Sequence, residues 1–135
     1  MKLDHIGVAV RSLSDALAFY RDTLGMPCAG IEEVPAEKVR VALLPLGDTR
    51  LELLEATAAD SPIARFIQKR GEGIHHIAIE VAGLDAHLKR LEAAGVRILP
   101  GKGPYGASGH RYAFLHPASC GGVLVELVER QGNHG

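Results

Sequence analysis

The chain has 135 residues, 47% of them hydrophobic, and its 15 basic and 16 acidic side chains leave a formal charge of −1. That length and apolar content suit one globular domain with a real core and exclude general disorder. The charges are interspersed without like-signed runs, and no apolar stretch approaches the ~18 residues that cross a bilayer, so neither nucleic acid nor membrane is an expected partner.

Position 1 leads at once into a patterned strand with no basic-then-apolar leader, which gives the expectation of a soluble, unprocessed, cytoplasmic protein. In that strand, residues 3–10, His5, Gly7 and Ala9 face one way and Ile6, Val8 and Val10 the other. Ser12-Leu13-Ser14-Asp15 supplies a helix start, and Leu13, Ala16, Leu17, Tyr20 and Leu24 recur at helical spacing until Gly25. A short strand is expected near 29–33. Strands at 39–44 and 50–55 are joined by Pro45-Leu46-Gly47-Asp48-Thr49, a hairpin connector. Ser61-Pro62 opens a connecting helix that Gly71 closes. The order then repeats, with a strand at 74–81, a helix from Asp85 to Gly95, and strands near 97–99, 111–115 and 123–129. Between the first two of those three lies Pro100 to Gly109, whose four glycines and two prolines forbid a regular element and suit a lid or substrate contact. Cys28 and Cys120 lie in turn-rich contexts without a paired spacing and read as reduced packing residues.

The second half echoes the first residue by residue. Asp4-His5-Ile6 returns as His75-His76-Ile77, and Leu51-Glu52-Leu53-Leu54-Glu55 as Val125-Glu126-Leu127-Val128-Glu129. Each half therefore contributes one strand histidine and one glutamate among apolar neighbours. A carboxylate there must pair, bind metal or lose its charge, because a buried unpaired ion costs several kcal/mol or more. Two imidazoles and two carboxylates, His5, Glu52, His76 and Glu126, suit one borderline divalent cation. Of the adjacent histidines the repeat selects His76, and alternation turns His75 to the other face. Glu80 shares the face of His76. Glu55 and Glu129 read as solvated strand ends, His116 as packing or pocket lining, and His87 and His134 as surface residues.

These residues carry a resemblance to the vicinal oxygen chelate superfamily. The runs Asp60-Ser61-Pro62-Ile63-Ala64, Gly71-Glu72-Gly73-Ile74-His75-His76-Ile77-Ala78, Phe114-Leu115-His116-Pro117 and Gly121-Gly122-Val123-Leu124-Val125-Glu126-Leu127 resemble, within it, the methylmalonyl-CoA epimerase family. The resemblance implies an α+β fold in which two tandem β-α-β-β-β modules form a cup-shaped mixed sheet around a metal. Residues 1–135 would then be one domain, with module one at about 2–56, the connecting helix at about 61–71 and module two at about 73–129. It implies His5, Glu52, His76 and Glu126 as ligands of one divalent ion, Co²⁺ first, with Mn²⁺, Ni²⁺, Zn²⁺ or Mg²⁺ as alternatives. Some such epimerases carry a catalytic glutamate where Val41 stands here, so Glu126 and Glu52 are the candidate acid and base.

The implied activity is interconversion of (R)- and (S)-methylmalonyl-CoA by 1,1-proton transfer through a metal-stabilised enolate. Ser108, His110 and Arg111 are candidate contacts to the acyl-CoA substrate. A homodimer is expected, because relatives pair and the Ile6/Val8/Val10 face needs cover. Two alternatives stay open. One is a lactoylglutathione lyase, which uses the same ligand types, although the His-Pro-x-x-x-Gly-Gly turn at 116–122 favours the epimerase. The other is a metal-free small-molecule-binding module, which has no need of two buried glutamates.

Overall fold

The computed structural model of the chain describes residues 1–100 and 110–130. The strands are β1 (Lys2–Ala9), β2 (Gly30–Val34), β3 (Val39–Leu46), β4 (Thr49–Ala56), β5 (Gly73–Glu80), β6 (Arg111–Leu115) and β7 (Val125–Glu129). The helices are α1 (Leu13–Leu17), running on as a π-helical stretch over Ala18–Thr23, then α2 (Pro62–Arg70) and α3 (Leu84–Ala93). The strands of the first unit are hydrogen-bonded in the order β2-β3-β4-β1 and those of the second in the order β5-β7-β6, both mixed, and the class is α+β as the resemblance implied. Packing divides the chain into two compact units, His5–His75 and Met1–Asp4 with His76–Gly135.

In the first unit β1 runs parallel to β4 with Gly7 opposite Glu52, and β3 is antiparallel to β4 with Leu43 opposite Glu52. The β3–β4 hairpin closes on two residues, Leu46 pairing with Thr49. Gly47 sits there at φ 59, the positive φ that a tight hairpin asks of its first central residue. Val10, Leu13, Leu17, Ala42, Leu44 and Leu53 form the core under α1, with Val8 packed against it. The sequence left the Val8/Val10 face for a partner subunit to cover, whereas α1 covers it within the chain. Ser12 Oγ accepts the Asp15 N–H at 3.1 Å and fixes where α1 starts.

The continuous α-helix expected up to Gly25 widens instead into π turns, Leu24 N–H donating to Phe19 O at 2.7 Å. The Thr23 hydroxyl, donating to Ala18 O at 3.0 Å, reinforces that five-residue step. Ser61 Oγ caps α2 at Ile63 N–H, and Gly71 at φ 77 ends it. His75 turns away from His76 and packs edge-on against Phe66 of α2.

In the second unit β5 runs parallel to β7 with Ala78 opposite Glu126, and β6 is antiparallel to β7 with Phe114 opposite Glu126. Val81, Leu84, Leu115 and Leu127 form the core beneath α3. Ala78, Tyr112 and Val128 cluster with Phe114 around the other face. The cysteines are free, Cys28 packing on the first core and Cys120 on that of the second unit.

Three expectations change here. The strand near 97–99 reduces to a single bridge, Ile98 to Leu115, flanked by Leu99 N–H to Phe114 O and His116 N–H to Arg97 O at 2.8 Å each. It stops there because Pro100 has no N–H to extend the ladder. Val123 and Leu124 precede β7, since Val123 N–H still closes the turn on Cys120 O. Glu129 is not a solvated strand end: its Oε1 accepts the Leu84 N–H at 2.5 Å. Gly83, the N-cap of α3, has no side chain to do this, and first-turn amides lack an intrahelical acceptor.

Among the described residues no helix is long and apolar enough to cross a membrane.

Candidate metal centre

Glu52 is placed by the pairing of β4 with β1 and β3, which sets it beside Gly7 and Leu43 on the face turned away from α1. His5, two residues before Gly7, shares that face. Both side chains are buried, and His5 Nδ1 lies 3.4 Å from Glu52 Oε2. Arg50, two positions before Glu52 and so on the same side of β4, donates from Nε to Glu52 Oε2 at 2.7 Å. Arg50 Nη2 is buried with no hydrogen-bond partner among the described residues.

The second unit repeats the pair. His76 Nε2 lies 3.1 Å from Glu126 Oε1, and the His76 ring stands edge-on to Phe114 with centroids 5.5 Å apart. Glu126 Oε2 has a further neighbour, His110 Nε2 at 3.5 Å. Behind it, Arg130 Nη1 faces His110 Nδ1 at 3.2 Å, and the Arg130 guanidinium forks onto Asp4 with Nε–Oδ1 at 2.9 Å and Nη2–Oδ2 at 2.6 Å.

His5 in the first unit, and His76 and Glu126 in the second, each offer a ligand atom. All three side chains are buried. Two imidazole nitrogens and a carboxylate oxygen form a donor set that fits a divalent first-row cation. Glu52 is outside that group and keeps its Oε2 on Arg50.

Of the candidate substrate contacts, His110 is buried beside Glu126. Arg111 is committed elsewhere, to Asp85 Oδ1 at 2.9 Å and Glu129 Oε2 at 3.6 Å. Its hydrogen bond and charge hold the Asp85 carboxyl below the ordinary carboxylate range. Ser108 and His134 lie outside the described residues. His116 is a cap, its Nδ1 accepting the Ala118 N–H at 2.9 Å, and His87 pairs with Arg90 along α3.

Sequence reasoning missed Arg50, Arg130 and Asp4. Arg50 was detectable, because a charge at i−2 from a strand glutamate shares its face. Arg130 stands four residues beyond Glu126, an even spacing that carries the same signal, although it lies past the end of β7. Nothing local marks Asp4 as its partner, 126 positions away.

Residues 4–114 match the Glyoxalase/Bleomycin resistance protein/Dioxygenase superfamily. The chain belongs to that superfamily and, within it, to the methylmalonyl-CoA epimerase family of isomerases. It is 42% identical over 129 residues to the mitochondrial methylmalonyl-CoA epimerase of Mus musculus, covering 95% of this chain and 72% of the mouse protein. It is 41% identical over 130 residues to the ethylmalonyl-CoA/methylmalonyl-CoA epimerase of Cereibacter sphaeroides, covering 95% and 97%. Among solved structures, a variant of the Streptomyces coelicolor methylmalonyl-CoA epimerase in complex with 2-nitronate-propionyl-CoA superposes with a TM-score of 0.90 at 38% identity, covering 98% of this chain and 99% of that one.

Proposed function

We propose that the chain epimerises methylmalonyl-CoA, with one divalent metal held by His5, His76 and Glu126 and with Glu52 as the fourth ligand. The observation that carries this reading is the repeated pair, a buried histidine against a buried glutamate on the corresponding strands of each half. The relatives named as epimerases support the substrate class, as does the nitronate in the Streptomyces coelicolor structure. A nitronate is a planar anion and stands in for the enolate that forms when the α-proton leaves.

When bound, the metal supplies Lewis-acid stabilisation of the charge that develops on the thioester oxygen. The chain's own residues do the rest. One glutamate, in carboxylate form, takes the α-proton, and the C–H pair moves into the thioester as an enolate. The other glutamate, in acid form, returns a proton to the opposite face, so the proton count is unchanged. Glu126 and Glu52 take these roles. Arg50, whose buried Nη2 has no hydrogen-bond partner among the described residues, is suited to hold the free carboxylate of the substrate. His110 stands beside Glu126, whereas the ion pairs of Arg111 leave it a sheet-edge brace.

The test offers each epimer separately in a coupled assay, after chelation and after adding back Co²⁺, Mn²⁺, Ni²⁺, Zn²⁺ or Mg²⁺. Chelation should abolish conversion and Co²⁺ should restore it best. Conversion that survives complete metal removal overturns the metal assignment. Turnover of the methylglyoxal–glutathione hemithioacetal in place of methylmalonyl-CoA would assign a lactoylglutathione lyase instead. The same reading has the protein working in the cytoplasm as a homodimer. Phe19, Leu24 and Ile31, each more than half exposed, offer the surface. Light scattering that returns only the 14.4 kDa chain at micromolar concentration rejects the dimer.

A further inference from the structure

The two glutamates differ in what stands behind them, and the difference gives His110 a role that repeat symmetry does not. Glu52 meets its arginine directly, whereas Glu126 is separated from Arg130 by one imidazole. A guanidinium carries five N–H donors and no acceptor. The His110 Nδ1 that faces Arg130 Nη1 at 3.2 Å must therefore be the lone-pair nitrogen, which leaves the ring proton on Nε2, the atom 3.5 Å from Glu126 Oε2. Arg130 is itself fixed by a two-pronged contact to Asp4 at 2.9 and 2.6 Å. With Arg130 pinned, the His110 ring has one orientation and one tautomer, and its burial keeps water from competing for either nitrogen.

We propose that His110 is a positioning residue for Glu126: the Asp4–Arg130 fork holds it as the Nε2–H tautomer, so that it donates to Glu126 Oε2 and leaves Oε1 turned toward His76. This rests on the reading of Glu126 as ligand and proton carrier. The present separation is at the long end for a hydrogen bond, as pairs at such sites often are before substrate binds.

The test begins on the metal-free wild-type protein, where two-bond 1H–15N correlation spectra of the labelled histidines distinguish the tautomers. His110 should show the Nε2–H pattern, and Arg130→Met should release it into a tautomer mixture. A wild-type Nδ1–H pattern overturns the proposal, whatever the enzyme does. Kinetics form the second arm. His110→Ala should lower kcat about 10–100-fold, the usual cost of losing a group that orients a ligand, with KM held within about twofold. His110→Gln, whose amide both accepts from Arg130 and donates to Glu126, should recover part of the loss. A rise in KM at unchanged kcat would make His110 a substrate contact instead and overturn the positioning role. Absence of epimerisation in the wild type would sink the proposed function, while the tautomer assignment would still be decided by the spectra.

Discussion

Replacing Glu52 by glutamine separates a proton-carrying carboxylate from a ligand, and the geometry sets what else it disturbs. Glu52 Oε2 accepts from Arg50 Nε at 2.7 Å, with side chains 4% and 19% exposed. A charge-assisted bond of this kind contributes about 1.5–3 kcal/mol, and the glutamine oxygen that replaces it still accepts a neutral bond of about 0.5–1.5 kcal/mol. The net loss is about 1–1.5 kcal/mol. Unfolding entropy near 2.1 cal/mol/K per residue amounts to about 0.28 kcal/mol/K for this chain, so Tm should fall by about 4–5 °C and leave the protein folded. If Glu52 carries a proton, turnover should drop by at least ~10² while metal stays bound. Val41 pairs with Leu54 where Leu43 pairs with Glu52, so position 41 lies one pair along on the same face. Val41→Glu added to Glu52→Gln should therefore recover part of the activity. Thermal unfolding, solvent deuterium incorporation at the α-carbon and epimer conversion are measured together. Near-wild-type exchange and conversion in Glu52→Gln would leave Glu52 a ligand only and refute the assignment.

Glu126→Gln keeps a weak oxygen ligand but removes the proton carrier, so kcat should fall by ~10² or more, and a variant that still exchanges deuterium at the wild-type rate speaks against Glu126 as base. Leu53, fully buried between Leu13, Leu17 and Leu44, should cost about 2–5 kcal/mol when cut to alanine, a Tm loss of roughly 7–18 °C; a loss under ~3 °C contradicts the packing. Arg111 lowers the Asp85 pKa below its unfolded value, so the pair stabilises at neutral pH and the contribution disappears as pH falls through the carboxylate range. Asp85→Asn should thus differ from wild type in Tm at pH 7, converge with it in acid, and converge again in high salt, because the pair is exposed.

The parts of the fold legible in the sequence were those governed by short-range rules. Alternation placed His5 with Gly7 and turned His75 away from His76, and Ser61-Pro62 with Gly71 marked both ends of α2. What failed depended on a missing or distant partner. The strand at 97–99 fails because the residue that should continue its ladder is Pro100. Glu129 looks solvated until Gly83, 46 positions earlier, leaves the start of α3 without a side-chain cap. The His/Glu pairs were visible because the duplication wrote them twice. The supports around them were not, since Arg50 and the Asp4–Arg130–His110 chain have no counterparts in the opposite repeat.

That asymmetry bears on mechanism. Inverting a carbon with two carboxylates requires that one be an acid when the other is a base, and two identical environments would give no preference for which. The duplication supplies near-identical pairs of a buried histidine and a buried glutamate, His5 with Glu52 and His76 with Glu126. Divergence has then put a guanidinium directly on Glu52 and a buried imidazole on Glu126. Glu52 meets a fixed positive charge, and Glu126 meets an N–H donor whose charge is held one group further back. The halves are alike in their histidine–glutamate pairs and unlike in what stands behind each carboxylate, and on the proposed reading that difference distinguishes the two faces of the carbon.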